Sequence, residues 1–186
     1  MDSYTITRDH RTFRAILRAM SRPGRVQRLP EFAGEETAVI ELLRPLVDNA
    51  TQVAVLGDTR LATELAQACQ CHLAEVAVAD FVVVAPGADT TPLDHCKRGD
   101  LFYPDNGATV VYLVDGLAED RDGFILSGPG IEGSVSLRIS GLGDGELVRL
   151  SRLNSEFPLG VDAMFFVRRR SGRLACIPRS TRIGGC

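Results

Sequence analysis

The sequence predicts a single α/β domain, with a mixed sheet and helices on its faces, and three observations carry that prediction. Residues 51–57 form a short apolar run, and Asp58 or Thr59 then stands where a side-chain oxygen can cap a helix over 60–69, giving a β-α unit. Phe81-Val82-Val83-Val84 is apolar without interruption, the pattern of an inner strand buried on both faces. Later in the chain, short apolar runs separated by Gly and Pro read as antiparallel pieces. At 186 residues, with no linker, repeat or low-complexity tract, the chain fits one domain spanning 1–186. Its size removes roughly 70% of the unfolded surface from water without staples.

Taken in order, the first element is a helix capped by Asp9, with Phe13, Ile16, Leu17 and Met20 as its apolar face and Arg11, Arg14 and Arg18 on the other. Ser21-Arg22-Pro23-Gly24 ends it, because Pro23 disfavours helical angles at Arg22 and Gly24 admits a tight turn into the extended residues 25–29. A second helix is expected over 35–48. Glu35 and Glu36 sit at its positive end, Val39, Leu42, Leu43 and Leu46 form the apolar face, and Pro45 bends or shortens it.

Residues 88–107 are rich in Asp, Thr, Pro and Gly and read as loops around a short helix near 93–97. A buried strand follows over 109–114, then strands at 124–127 and 134–139 on either side of the turn Gly128-Pro129-Gly130. Asp144 stands at the cap position of a helix over 145–153 with Leu147, Leu150 and Leu153 in line. The chain closes with an antiparallel hairpin of 163–167 and 174–177, joined by a polar turn over 168–172. Pro158 and Gly160 fix its entry and Pro178 its exit.

Composition excludes several functions. A net charge of −3 and a pI near 5.6 give no general attraction to nucleic acid or anionic membranes. No apolar run approaches the length of a membrane span, and the first residues lack the features of a signal peptide, so the cytoplasm is expected. Five cysteines, an odd number at irregular spacing, suit reduced thiols better than a disulfide framework. Cys69, Cys71 and His72 with His95 and Cys96 are metal-ligating residue types, but a C-x-C-H cluster lacks the gap of common zinc knuckles, and buried free cysteines fit as well.

Lys97 is the single lysine, so a Schiff base to pyridoxal phosphate or a P-loop would have to use it, and its surroundings match neither. Asp94, His95 and Asp100 are acid–base residue types without a nucleophile beside them, so a polar surface loop is the simpler reading. Gly128-Pro129-Gly130 could offer backbone N–H groups to an anion, although Pro129 has none and a plain turn explains the same residues.

A resemblance emerges from six segments taken together. These are the run from Thr12 to Gly24 that includes Arg14 and Arg22, Leu46-Val47-Asp48-Asn49-Ala50-Thr51, Gly107-Ala108-Thr109, residues 126–131, Phe157-Pro158-Leu159-Gly160-Val161-Asp162, and Ile177-Pro178-Arg179-Ser180-Thr181. In order and spacing they resemble the PhnH family, a component of the bacterial carbon–phosphorus lyase core complex. The resemblance implies a fold similar to pyridoxal-phosphate-dependent transferases without the cofactor, a homodimer, and no catalytic residue to carry over. It further implies action with subunits G and I and with an ATP-binding partner, L. Together they join a phosphonate to the ribose of ATP, giving a ribose 1-phosphonate 5-triphosphate, before the J component breaks the carbon–phosphorus bond.

Because nucleotide and phosphonate are anionic, Arg14, Arg22 and Arg179 are the candidate anion or partner contacts, with Asp162 orienting one of them. Two other readings stay open: a dimeric scaffold that touches no substrate, and a stand-alone metal- or pyridoxal-dependent enzyme.

Overall fold

Two apolar cores form on opposite faces of one sheet, because its central strands alternate apolar side chains to both sides. The computed structural model describes residues 3–34, 37–168 and 172–184. Its elements are α1 (Ser3–Ser21), β1 (Gln27–Arg28), α2 (Ala38–Leu43), β2 (Gln52–Leu56), α3 (Thr59–Cys69), β3 (His72–Leu73) and β4 (Phe81–Val84). There follow β5 (Thr109–Leu113), β6 (Gly116–Ala118), β7 (Phe124–Ser127), β8 (Val135–Ser140), α4 (Glu146–Leu153), β9 (Asp162–Val167), β10 (Arg173–Ile177) and β11 (Arg182–Gly184).

The main sheet has the order β1-β10-β9-β5-β4-β2-β3. From β3 to β9 neighbouring strands are parallel, and β10 and β1 are added antiparallel, so the sheet is mixed as expected. Val53, Val83, Val111 and Met164 face one core, shared with α1, α2 and α3. Ala54, Val82, Val110, Ala163 and Phe165 face the other, where a four-stranded sheet β11-β7-β8-β6 packs together with α4. Three layers result, with helices dominating one face and a second sheet the other. β3, β6 and β11 carry no clear sequence signal, at two or three residues each.

Register decides what meets at the end of the sheet. Phe81 pairs with Thr109 and Thr109 with Asp162, so the parallel strands begin level with one another. β10 runs back along β9, with Ile177 opposite Ala163. The residues just after β10 therefore arrive beside Asp162.

Several expectations are corrected. Asp9 lies inside α1, not at its start, and its carboxylate takes a two-pronged contact from Arg44 at 2.7 to 3.1 Å. The buried face of α1 is Thr12, Ala15, Ile16 and Ala19, whereas Phe13 and Leu17 are exposed. Small side chains at those positions let the helix lie close on β10, and that approach rotates the larger ones outward. The helix expected over 35–48 is only Ala38–Leu43, since turns take over at Arg44 and Pro45. Glu35 and Glu36 lie outside the described residues.

The short helix near 93–97 is a 3-10 turn over Thr91–His95. Asp144 does not cap α4, because Gly145 with φ near +80° holds that position. The hairpin of β9 and β10 forms as expected, and of its connecting turn residues 169–171 lie outside the described ones. Asp58 does cap α3, accepting from the Leu61 N–H at 2.9 Å.

α1 and α2 are cross-tied by Asp9 with Arg44 and by Arg8 with the buried Glu41 at 3.0 Å. Replacing Arg44 by Met should lower the unfolding free energy by about 1.5 to 3 kcal/mol, as a charge-assisted hydrogen-bonded pair is lost. Urea denaturation should show Asp9→Asn costing a similar amount. The double variant should cost little more than either single one, because both remove the same contact.

Candidate functional site

Asp162 opens β9 and Arg179 follows β10, so the sheet register brings them together at the amino ends of the parallel strands. The Asp162 carboxylate accepts the Arg179 backbone N–H at 2.8 Å, Nε at 3.3 Å and Nη2 at 2.7 Å. Arg179 Nη1 donates to the Pro104 carbonyl, and Nη2 reaches the Gly107 carbonyl at 3.5 Å. The guanidinium is 13% exposed, its charge is matched by Asp162, and most of its N–H groups are engaged. It acts as a clamp between β9, the chain after β10 and the loop before β5.

Gly107 is required at this junction. A Cβ there would meet Arg179 Nη1 at 2.6 Å and run into the Gly160 carbonyl. The Gly160 N–H in turn donates to the Arg98 carbonyl at 2.9 Å, and Asn154 holds Val161 through both of that residue's backbone polar groups. The Phe157–Pro158 peptide on this segment is cis.

The clamp closes the base of a loop over residues 98–107. Arg98 and Gly107 form an isolated antiparallel bridge. Within the loop the Asp100 carboxylate accepts the N–H groups of Phe102 and Tyr103, both at 2.8 Å. Asp100 is thus a loop brace, and the side chains of Leu101, Phe102 and Tyr103 stand outward.

Beside the clamp lies a cavity of about 670 Å³ lined by Gly128, Ser151, Ser155, Ser180, Arg182 and the clamp's own Arg179, with the exposed Phe157 also on its wall. No carboxylate lines it, and among the described residues Arg182 has no acidic partner. Gly128 forms its wall at φ near +134°, and a Cβ there would press on the Ser180 carbonyl at 2.9 Å. Across the Gly128-Pro129-Gly130 turn a smaller cavity, about 180 Å³, is lined by Arg22, Pro23, Arg25 and Glu132. Hydroxyls and an unpaired guanidinium in a cavity of the larger size suit a small oxyanion-bearing molecule.

The structure thus joins Asp162 with Arg179, sets Arg22 in a separate pocket and leaves Arg14 exposed on α1, lining neither cavity. Arg182 was missed by sequence reasoning. It lies in a three-residue strand, and an alternating β-edge around Ile183 is its only signal.

Most of the other polar residues singled out are engaged in structural contacts. Burial disfavours ionisation of Asp80, yet Lys97 and the Gln52 N–H outweigh it and hold the carboxyl below its usual range. Lys97 is thereby engaged. Asp94 receives Arg149, and Arg152 at 2.6 Å, while the buried Glu146 accepts Thr90 at 2.6 Å and Tyr112 at 3.1 Å, pinning α4 to β5. His95 is exposed.

Among the described residues no three His, Cys, Asp or Glu gather as a metal site. Cys69 and Cys71 belong to the core under the helices and Cys96 to the opposite one. Cys186 lies outside the described residues. Burial pushes the Cys69 and Cys96 thiols up to about 11 and raises those of Cys71 and Cys176. In a Cys186→Ser protein at neutral pH, the four remaining thiols should react with a disulfide reagent roughly a hundredfold slower folded than in urea. Rapid labelling of the folded protein would contradict this burial.

A Stutzerimonas stutzeri protein carrying the name C-P lyase subunit protein HtxG is 34% identical over 181 residues, covering 95% of this chain and 86% of the relative. The family model of the bacterial phosphonate metabolism protein PhnH matches residues 3–184. The chain therefore belongs to the PhnH family of bacterial phosphonate metabolism proteins.

Proposed function

We propose that this chain is an accessory subunit of the carbon–phosphorus lyase system. It acts with subunits G, I and L in making a ribose 1-phosphonate 5-triphosphate from ATP and a phosphonate. The observation that carries the reading is the convergence of separated segments on one clamp. Pro104 to Gly107, Phe157 to Asp162 and Pro178 to Thr181 meet through Arg179 and Asp162, and the Gly128 turn packs on Ser180. Such a junction fixes loops in space and spends its charges on itself, which suits a part that presents surfaces to partners. The relative's name as a C-P lyase subunit supports the same role.

A cytoplasmic homodimer, on a fold like that of pyridoxal-phosphate-dependent transferases but without the cofactor, completes the proposal. Lys97, the single lysine, pairs with Asp80 and lines neither cavity, which supports the part about the cofactor. A role for the anion is supported by the larger cavity, where the unpaired Arg182 joins Arg179, whose guanidinium is matched by Asp162.

Affinity purification of the tagged chain from cells grown on a phosphonate as sole phosphorus source tests the subunit reading. Subunits G, I and J should co-purify in fixed ratio, and recovery of the chain alone would contradict it. Arg179→Ala should reduce that recovery by loosening the loop over residues 98–107. Arg182→Ala should leave recovery intact but weaken ATP or methylphosphonate binding about five- to tenfold in equilibrium dialysis. If the unaltered protein binds neither compound, the cavity has no part in the function.

A further inference from the structure

We infer that Leu101, Phe102 and Tyr103 form a plug that enters an apolar cleft with a basic rim on a different protein of the assembly. The inference rests on the subunit reading above and goes beyond it by naming the surface. Leu101 is 79% exposed, Phe102 89% and Tyr103 61%, three consecutive large side chains with no cover from any described element. Each would gain about 1.5 to 3 kcal/mol on full burial, so leaving them in water forgoes much of what a core residue supplies.

The backbone beneath them is fixed. Asp100 binds the amides of Phe102 and Tyr103, the Arg98–Gly107 bridge closes the loop, and Arg179 holds the carbonyls of Pro104 and Gly107. Little ordering entropy therefore remains to be lost when the tip is buried. Phe157, 65% exposed, belongs to the same surface, because its neighbour Glu156 pairs with Arg98 at 3.6 Å.

Charge identifies the occupant. Asp100 and Asp105 lie on the loop and Glu156 beside it; Arg98 is paired with Glu156, and the neighbouring Lys97 and Arg179 are matched by Asp80 and Asp162, so the charge left at the rim is acidic. A second copy docking tip to tip would set this acidic rim against itself, since a two-fold contact uses the same patch on both sides. Three side chains bury about 500 Å², part of the roughly 800 Å² that a stable interface buries on each side, so the tip is an anchor within a wider contact. An apolar cleft edged by Arg or Lys on a different protein takes the apolar tip and matches its acidic rim.

The test is co-expression of the tagged full chain with subunits G, I and J, comparing the natural sequence with Phe102→Asp and with the double replacement Leu101→Ser, Phe102→Ser. Circular dichroism and melting should be unchanged, as the altered side chains touch no core. Partner recovery should fall about tenfold or more in both variants. Asp105→Lys should lower recovery at low salt and lose that effect at high salt.

Recovery of the partners at the natural ratio with Phe102→Asp would overturn the plug and leave the subunit reading standing. Failure of the natural sequence to bring down any of the three partners would overturn both. A change from dimer to monomer on light scattering of the Phe102 variant alone, with partner recovery intact, would assign the tip to a second copy and overturn the inference.

Discussion

The pairing of Asp162 with Arg179 is the constraint that fixes the loops at the amino ends of the parallel strands. It is available only because β9 starts level with β5 while β10 returns antiparallel beside it. One guanidinium then spans three chain segments, and its contacts run mostly to backbone carbonyls and one carboxylate. Arginine suits this position because its planar fork directs several N–H groups at once. Lysine, a compact point charge, would satisfy fewer carbonyls. Partial burial makes the arrangement sensitive, since removing either charge leaves the other short of partners in a site that water reaches poorly.

The rest of the fold isolates this end from the cores. Valine-rich inner strands and two apolar layers supply the stability, while the two buried glutamates among them are tied to neighbours. Glu146 is held by Tyr112 and Thr90, and Glu41 by Thr37 and Arg8. These are anchors for α4 and α2. The clamp, the larger cavity and the apolar tip are neighbours, joined through Arg179. The proposed role, meeting partner proteins and an anionic ligand, would gain from having both surfaces on one braced platform.

Much of this was legible in the sequence, for identifiable reasons. β4 and the hairpin of β9 and β10 announce themselves because burial on both faces demands unbroken apolar runs. α3 does so because Asp58 caps it in sequence as well as in space. Asp162 and Arg179 stood out as charges next to Pro and Gly turns at strand ends. The face of α1 was misjudged because periodicity weighs side-chain size, while packing on β10 favoured Thr12, Ala15 and Ala19. Asp144 failed as a cap because Gly145 took a left-handed conformation there. Arg182 and the exposed tip were hidden for a different reason. Whether an apolar or cationic residue is covered depends on the tertiary neighbours it lacks, and local pattern does not report absence.

The most direct test of the account is amide hydrogen exchange across residues 98–108 in the natural protein and in Arg179→Met, a side chain of similar length without donors. The clamp predicts faster exchange at Phe102, Tyr103 and Gly107 in the variant, with β4 and β5 as protected as before. Unchanged protection of the loop would mean that Asp100 and the Arg98–Gly107 bridge hold it unaided, and the central role given to Arg179 would be wrong.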